Sequence, residues 1–279
     1  MPVARGSFFT YNSFIVKIED LRTIGKRLME EIPAMRRSGD LKTSLGRGAA
    51  GDRTFEIDKK AEDIIVKGFR AIGEPLTFIS EEAGVVDMGG GKTVVIVDPV
   101  DGSKNAVSDI PFYCTSIAVA GGKTLGDIRY AYVLNLISGD EFWSEKGTGS
   151  FLNGRPLLAQ QDAELYLAAY EAQSPERDIP LILPLLSRSR KTRCFGAIAL
   201  DLSHLASGAV STFVSPSSSR SFDFAAGYLI AREAGGVFTD MEGKEMEGVR
   251  LGLERSSSLL VSGNEDLHRK ALKILQKKD

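Results

Sequence analysis

With 279 residues and 35 basic against 37 acidic side chains, the chain has a formal net charge of −2 and enough length for a large core. That balance leaves no electrostatic footprint for nucleic acid or an anionic membrane, and no uninterrupted apolar run approaches a membrane span. Two cysteines, Cys114 and Cys194, exclude a disulfide framework and imply a reduced, cytoplasmic setting; with only His204 and His268 present, any metal must be held by carboxylates.

Met1 to Thr10 lacks the basic segment and apolar core of a secretory signal. Phe14, Ile18, Leu21, Ile24, Leu28 and Ile32 recur at helical spacing and predict a first amphipathic helix ending near Pro33. The polar stretch from Ser38 to Asp52 reads as a loop, whose Lys42 and Arg47 either reach an anion or are simply solvated. A second helix runs through Ala61, Ile64, Ile65, Phe69 and Ile72, with Asp58 at its start where a carboxylate commonly caps. Leu76 to Ile79 is a short strand ending in Ser80-Glu81-Glu82-Ala83-Gly84, and Thr93 to Val97 is a buried strand opening onto Asp98. Further strands are predicted at Tyr113–Ala120, Ile128–Leu134 and Glu141–Ser144, and Asn153-Gly154 marks a type I′ hairpin turn.

The second half reads as a strand at Leu165–Tyr170, a helix at Gly196–Gly208, and a Ser-rich loop at Ser217–Ser221. A helix follows at Asp223–Ala234, closed by Gly235-Gly236, then strands at Val237–Thr239 and Leu259–Val261 and a basic terminal helix. The texture divides the chain into an α+β half, residues 1–155, and an α/β half, residues 156–279, packed as one unit without repeat or linker.

Asp98-Pro99-Val100-Asp101-Gly102-Ser103 is the stretch richest in chemistry. Two carboxylates three residues apart at a strand end converge only if the chain turns sharply, which Pro99 and Gly102 allow. Hard oxygen ligands, backbone amides and a hydroxyl then share a small space, as Mg²⁺ and a phosphate group require. An ordinary solvated turn is the competing reading of the same six residues, and a helix cap is that of Asp223. Glu81, Asp98, Asp101 and Asp223 nevertheless all sit at strand ends or helix starts, where ligands gather in alternating α/β sheets. Together there, they would repel one another without cations between them.

Phe78-Ile79-Ser80-Glu81-Glu82, the Asp98–Ser103 segment, and Asp223-Phe224-Ala225-Ala226-Gly227 with Glu233-Ala234-Gly235-Gly236 resemble the three signature segments of the inositol monophosphatase family. The hairpin from Gly149 to Arg155 and the stretch ending at Asp58 match in order and spacing, so the resemblance spans essentially the whole chain. Asn105 to Ile117 and the Arg220-to-Asp223 spacing look most like archaeal members, where one enzyme often hydrolyses both inositol monophosphate and fructose 1,6-bisphosphate.

The resemblance implies an α/β, layered α+β fold, the αβαβα sandwich of this family, in a homodimer. It implies a Mg²⁺-dependent phosphatase of small phosphorylated substrates, with two to three ions per site and Mn²⁺ as a substitute. Glu81, Asp98 and the Val100 carbonyl would hold one ion, and Asp98, Asp101 and Asp223 a second. Ser103, hydrogen-bonded to Asp58, would relay a proton from the attacking water, with Glu81 assisting. Asp101, Gly102, Ser103, Gly196, Ala197, Asp201 and Arg220 would face the substrate.

Two departures bear on specificity. Ser103 stands where Thr is usual and keeps the hydroxyl, whereas the acid expected seven residues before Asp223 is replaced by Pro216. Without that acid, fructose 1,6-bisphosphate is expected to be a good substrate, and inositol monophosphate at best a comparable one. Arg220 either pairs with a second phosphate or serves as a structural partner of a nearby acid. Other readings are a 3′-phosphoadenosine 5′-phosphate phosphatase and a non-catalytic metal-bound scaffold of the same fold.

Overall fold

The computed structural model describes residues 16–38 and 43–277. Phe14, Lys42 and the segment from Met1 to Thr10 lie outside the described residues. Helix α1 (Ile18–Ser38) buries Leu21, Ile24, Leu28 and Ile32 on one stripe. Contrary to expectation it does not end near Pro33. A proline removes one backbone donor, but the packed stripe on its N-terminal side carries the helix another turn. The predicted loop after it is in part a hairpin, β1 (Ser44–Arg47) and β2 (Arg53–Phe55), leading into α2 (Glu56–Ile72).

β3 (Leu76–Ser80), β4 (Gly84–Met88), β5 (Thr93–Asp101), the short helix α3 (Ser103–Val107) and β6 (Cys114–Ala120) follow. β7 (Ile128–Asn135), β8 (Glu141–Glu145), β9 (Gly149–Leu152) and β10 (Arg155–Pro156) complete an eight-stranded sheet ordered β10-β9-β8-β7-β6-β5-β3-β4. Within it only β3 and β5 run parallel. The expected Asn-Gly turn joins β9 to β10, with Asn153 at φ 50° and Gly154 at φ 77°.

The remaining elements are β11 (Leu167–Tyr170), α4 (Pro175–Leu186), β12 (Lys191–Arg193), α5 (Ile198–Ala206), β13 (Thr212–Arg220), α6 (Ser221–Glu233), β14 (Val237–Thr239), β15 (Arg255–Ser262) and α7 (Glu265–Gln276). The five strands form a second sheet, β12-β11-β13-β15-β14, in which β11 lies parallel to both β12 and β13. The predicted Ser217–Ser221 loop is instead the end of β13 and the first residue of α6. Pairing with β15 supplies the backbone partners that serine-rich composition does not advertise. Helix α4 escapes sequence reading because it holds Pro175, Pro180 and Pro184; buried Ile182 and Leu185 anchor it nonetheless.

Strand alternation sorts the core into layers. Val95 and Val97 of β5 pack with α1 and α2, while Val94 and Ile96 face the opposite side, with α5 and α6. Across those two helices, Phe213, Leu259 and Val261 of the second sheet close the middle core, and Val214 and Leu260 turn outward to Ile182, Leu185 and Leu267. The result is the expected five-layered αβαβα sandwich. Among the described residues no helix is long and apolar enough to cross a membrane.

His268 on α7 is buried between the hydroxyls of Thr239 and Ser262, at 3.0 and 3.2 Å. Burial lowers its pKa from 6.5 to about 4. A depressed folded-state pKa gives stability that is present above about pH 6.5 and lost as pH falls toward 4. Thermal melts between pH 7 and 4 are expected to fall more steeply for wild type than for His268→Gln. The difference approaches about 3 kcal/mol, at about 1.4 kcal/mol per pKa unit.

Candidate active site

β5 does not end at Asp98. It continues to Asp101 through an irregularity in which Asp98 opposes Ser116 and Asp101 opposes Cys114, so one extra residue is accommodated on β5. This bulge, rather than a free loop, aims the two acids. The Pro99 carbonyl is held by Thr115 Oγ1 at 2.8 Å. Gly102 then takes φ 87°, and a Cβ there would sit 3.0 Å from the Phe112 carbonyl and 3.1 Å from Ala197, so only glycine fits. Ser103 opens α3 immediately afterwards.

Asp58 and Asp223 are placed alike. Each lies in the first turn of its helix and accepts a backbone N–H three residues back: Asp58 Oδ2 from Phe55 at 2.7 Å, Asp223 Oδ2 from Arg220 at 2.9 Å. Both are thus caps, as the simpler reading had it, yet each keeps its second oxygen for other work. Asp101 Oδ2 accepts the Ala199 N–H of α5 at 2.6 Å, which joins the N-terminal end of that helix to β5. Asp98 Oδ1 is buried without a hydrogen-bond partner.

Electrostatics tie these acids together. Burial raises the pKa of Asp98, and the charges of Glu81, Asp101, Asp223 and Asp58 raise it further. Burial likewise raises Glu81, with Asp223, Glu82, Asp58 and Asp52 adding to it, and raises Asp101, with Asp223 and Glu171 adding. Asp58 is pushed to about 8 by burial and by Glu82 and Glu62, and Asp223 to about 6 by burial, partly offset by the Arg220 N–H. Among the described residues no three acids close into a ligand shell as they stand. The orphaned Asp98 oxygen and the shared repulsion nevertheless suit hard, oxygen-seeking cations.

Other expected site residues fall as follows. Val100 is buried in the bulge, and Gly196 and Ala197 face Gly102 at the start of α5. No hydrogen bond joins Ser103 to Asp58, whose bonded oxygen is committed to Phe55. Asp201, expected on the substrate side, is 0% exposed and has neither oxygen hydrogen-bonded, so it faces protein rather than solvent. Arg220 is engaged as a structural partner: Nη1 bonds Asp52, and Nη2 donates to the Ala50 carbonyl at 2.7 Å.

Those bonds belong to a wider clamp. Ala49 and Ala50 donate to the carbonyls of Glu82 and Glu81 at 3.1 and 3.0 Å, so the β1–β2 turn lies on the Glu81 segment. Glu82 accepts Thr54 Oγ1 of β2 and is therefore a tether. Glu62, missed in the sequence, is buried and accepts Ser80 Oγ at 2.6 Å and Ala83 N–H at 2.8 Å, bracketing Glu81 from α2. Its signal was present: Asp58 and Glu62 are four apart on one helix face.

This fold and carboxylate-lined strand end define a phosphatase class. The inositol monophosphatase family model matches residues 13–279, and the chain belongs to that family. A fructose-1,6-bisphosphatase/inositol-1-monophosphatase of Methanothermobacter thermautotrophicus is 35% identical over 82% of this chain and 85% of its own length. A bifunctional NADP phosphatase/NAD kinase of Methanococcus maripaludis is 31% identical over 81% of this chain but only 43% of its own. A solved protein of Pyrococcus horikoshii, described as similar to inositol-1 monophosphatase, superposes with a TM-score of 0.78 at 30% identity, covering 94% of this chain and 100% of that one. Family membership makes this protein a phosphatase of the sugar-phosphate class.

Arg220→Ala removes two charge-assisted hydrogen bonds, the part-buried one to the Ala50 carbonyl worth about 1.5–3 kcal/mol and the exposed one to Asp52 about 0–1 kcal/mol. It is expected to lower Tm and to speed amide exchange at Ala49 and Ala50. Asp52→Asn is expected to be milder, because the bond to the Ala50 carbonyl remains. Unchanged exchange in Arg220→Ala would show that the turn is held by Glu81 and Glu82 alone.

Proposed function

We propose that this protein is a Mg²⁺-dependent phosphomonoester hydrolase acting on fructose 1,6-bisphosphate and/or inositol monophosphate. The observation that carries the metal dependence is the buried, unpartnered Asp98 oxygen in the field of Glu81, Asp101, Asp223 and Asp58. Glu81, Asp98 and the Val100 carbonyl would hold one Mg²⁺, Asp98, Asp101 and Asp223 a second, and the acid surplus near Glu81 suits a weaker third. When bound, such ions supply charge neutralisation at the phosphate and an acidified water.

The chain's own groups do the rest. Burial raises the Asp58 pKa to about 8, and cations held among the neighbouring acids would lower it, leaving the carboxylate available as a base. Ser103 lies at the start of α3, and a hydroxyl is too weak a base alone, so its proton relay requires its side chain to turn toward Asp58. Backbone amides at Gly102 and Ser103 would receive the phosphate. The strand bulge and the Ala199–Asp101 bond hold these groups in place before substrate arrives.

One relative is a bifunctional NADP phosphatase/NAD kinase, so phosphate release from NADP is to be measured beside that from inositol monophosphate and fructose 1,6-bisphosphate. A non-catalytic scaffold is disfavoured because Glu81, Asp98, Asp101, Ser103, Asp58 and Asp223 are all present.

Phosphate release is expected only with Mg²⁺ or Mn²⁺, and millimolar Mg²⁺ should raise Tm of metal-free protein by binding the folded state. Asp98→Asn is expected to reduce turnover by several orders of magnitude while the fold survives. Glu82→Gln should be much milder, since Glu82 tethers β2. Equal losses in the two variants would shift the register of the first metal segment. No Mg²⁺-induced stabilisation would remove the metal site.

A further inference from the structure

One acid near the site has no role in the chemistry above. Glu171 follows β11, where Tyr170 pairs with Val214 and the Glu171 N–H donates to the Val214 carbonyl at 3.1 Å. Because β11 runs parallel to β12, its carboxyl end lies on the same edge as the exit of β12 into Cys194, Phe195 and Gly196. That exit is stitched to α3: Asn105 Nδ2 donates to the Phe195 carbonyl at 2.6 Å and the Phe112 carbonyl at 2.8 Å. Gly102 abuts Gly196 and Ala197. Glu171 therefore lies on the sheet edge from which the chain enters α5, near enough for its charge to be felt at Asp101.

Its environment differs from that of a structural acid. Burial raises its pKa, partly offset by the Ala172 N–H and by Lys104, and its charge is felt at Asp101, Asp201 and Cys194. Yet no ion pair closes between Glu171 and Lys104, and no side chain of the described residues donates a hydrogen bond to it. The neighbouring strand offers no alternative acid. Position 216 is proline, Ser215 Oγ turns to the Ser217 carbonyl, and Ser217 Oγ donates to Asp178. Arg220, the cation that would suit a second phosphate, is bound to Asp52 and Ala50.

We propose that Glu171 is a specificity-determining residue that accepts hydrogen bonds from hydroxyls on the non-transferred end of the substrate and disfavours a second phosphate there. An ionised carboxylate is acceptor-only, so it pairs with polyol hydroxyls and repels another anion. The site thus selects a polyol monophosphate over a bisphosphate, reversing the order expected from Arg220. This inference rests on the phosphatase reading and deepens it.

The test compares kcat/KM for inositol 1-phosphate, fructose 1,6-bisphosphate and p-nitrophenyl phosphate, the last lacking hydroxyls, in wild type, Glu171→Gln and Glu171→Asp with Mg²⁺. In Glu171→Gln the ratio of inositol phosphate to p-nitrophenyl phosphate is expected to fall at least about tenfold, as for a lost charged hydrogen bond. The ratio of bisphosphate to inositol phosphate should rise, and Glu171→Asp should recover part of both preferences. A fall of all three substrates by one factor, an unchanged inositol phosphate ratio, or equal losses on inositol phosphate and bisphosphate would overturn the role of Glu171. Wild-type protein that cleaves none of the three would instead overturn the phosphatase reading.

Discussion

Like-charge repulsion among buried carboxylates is the constraint around which this molecule is arranged. Glu81, Asp98, Asp101, Asp223 and Asp58 are each destabilised as anions by burial, and most are destabilised further by one another. Unpaired buried charge costs several kcal/mol, so the acids must either keep protons or meet cations. The fold limits the cost with backbone donors: Phe55 for Asp58, Arg220 for Asp223 and Ala199 for Asp101. Each donor orients one oxygen and leaves the other, which makes a strained set of acids into a candidate ligand set.

The two sheets supply these groups through different devices. In the first sheet, β5 bulges beside β6 so that two acids of one strand reach the same region. From the second sheet, the β13–α6 junction brings Asp223, and the β12–α5 connection brings Gly196 and Ala197. Helices α5 and α6 fill the space between the sheets, so packing of the middle core sets the distance between the two contributions. Site geometry is therefore coupled to core packing, in which small volume changes are felt.

The β1–β2 turn is the least embedded part of this arrangement. It is tied to the Glu81 segment by two backbone bonds and to β13 by Arg220. Arg220 thus serves two neighbours at once: its N–H holds Asp223 and its guanidinium holds the turn. One residue thereby links the position of a candidate ligand to the position of the turn. Glu62 performs the corresponding service from α2, beneath Glu81.

Local patterns by themselves determined which segments become helix and strand wherever apolar spacing was regular, as in α1, α2, β5 and α6, and they determined the acids at strand ends. The Asn153-Gly154 turn was legible for the same reason, since its backbone preference is intrinsic to two residues. Tertiary structure decided what depends on partners far along the chain. The serines of β13 became strand because β15 offers hydrogen bonds, and α4 became helix because its apolar stripe finds a core despite three prolines. It also decided that Arg220 meets Asp52, that Asp201 is enclosed, and that Glu171 follows β11 on the sheet edge where β12 leaves toward α5. Periodicity and turn chemistry are properties of neighbours in sequence, whereas register and burial are created only when distant strands pair.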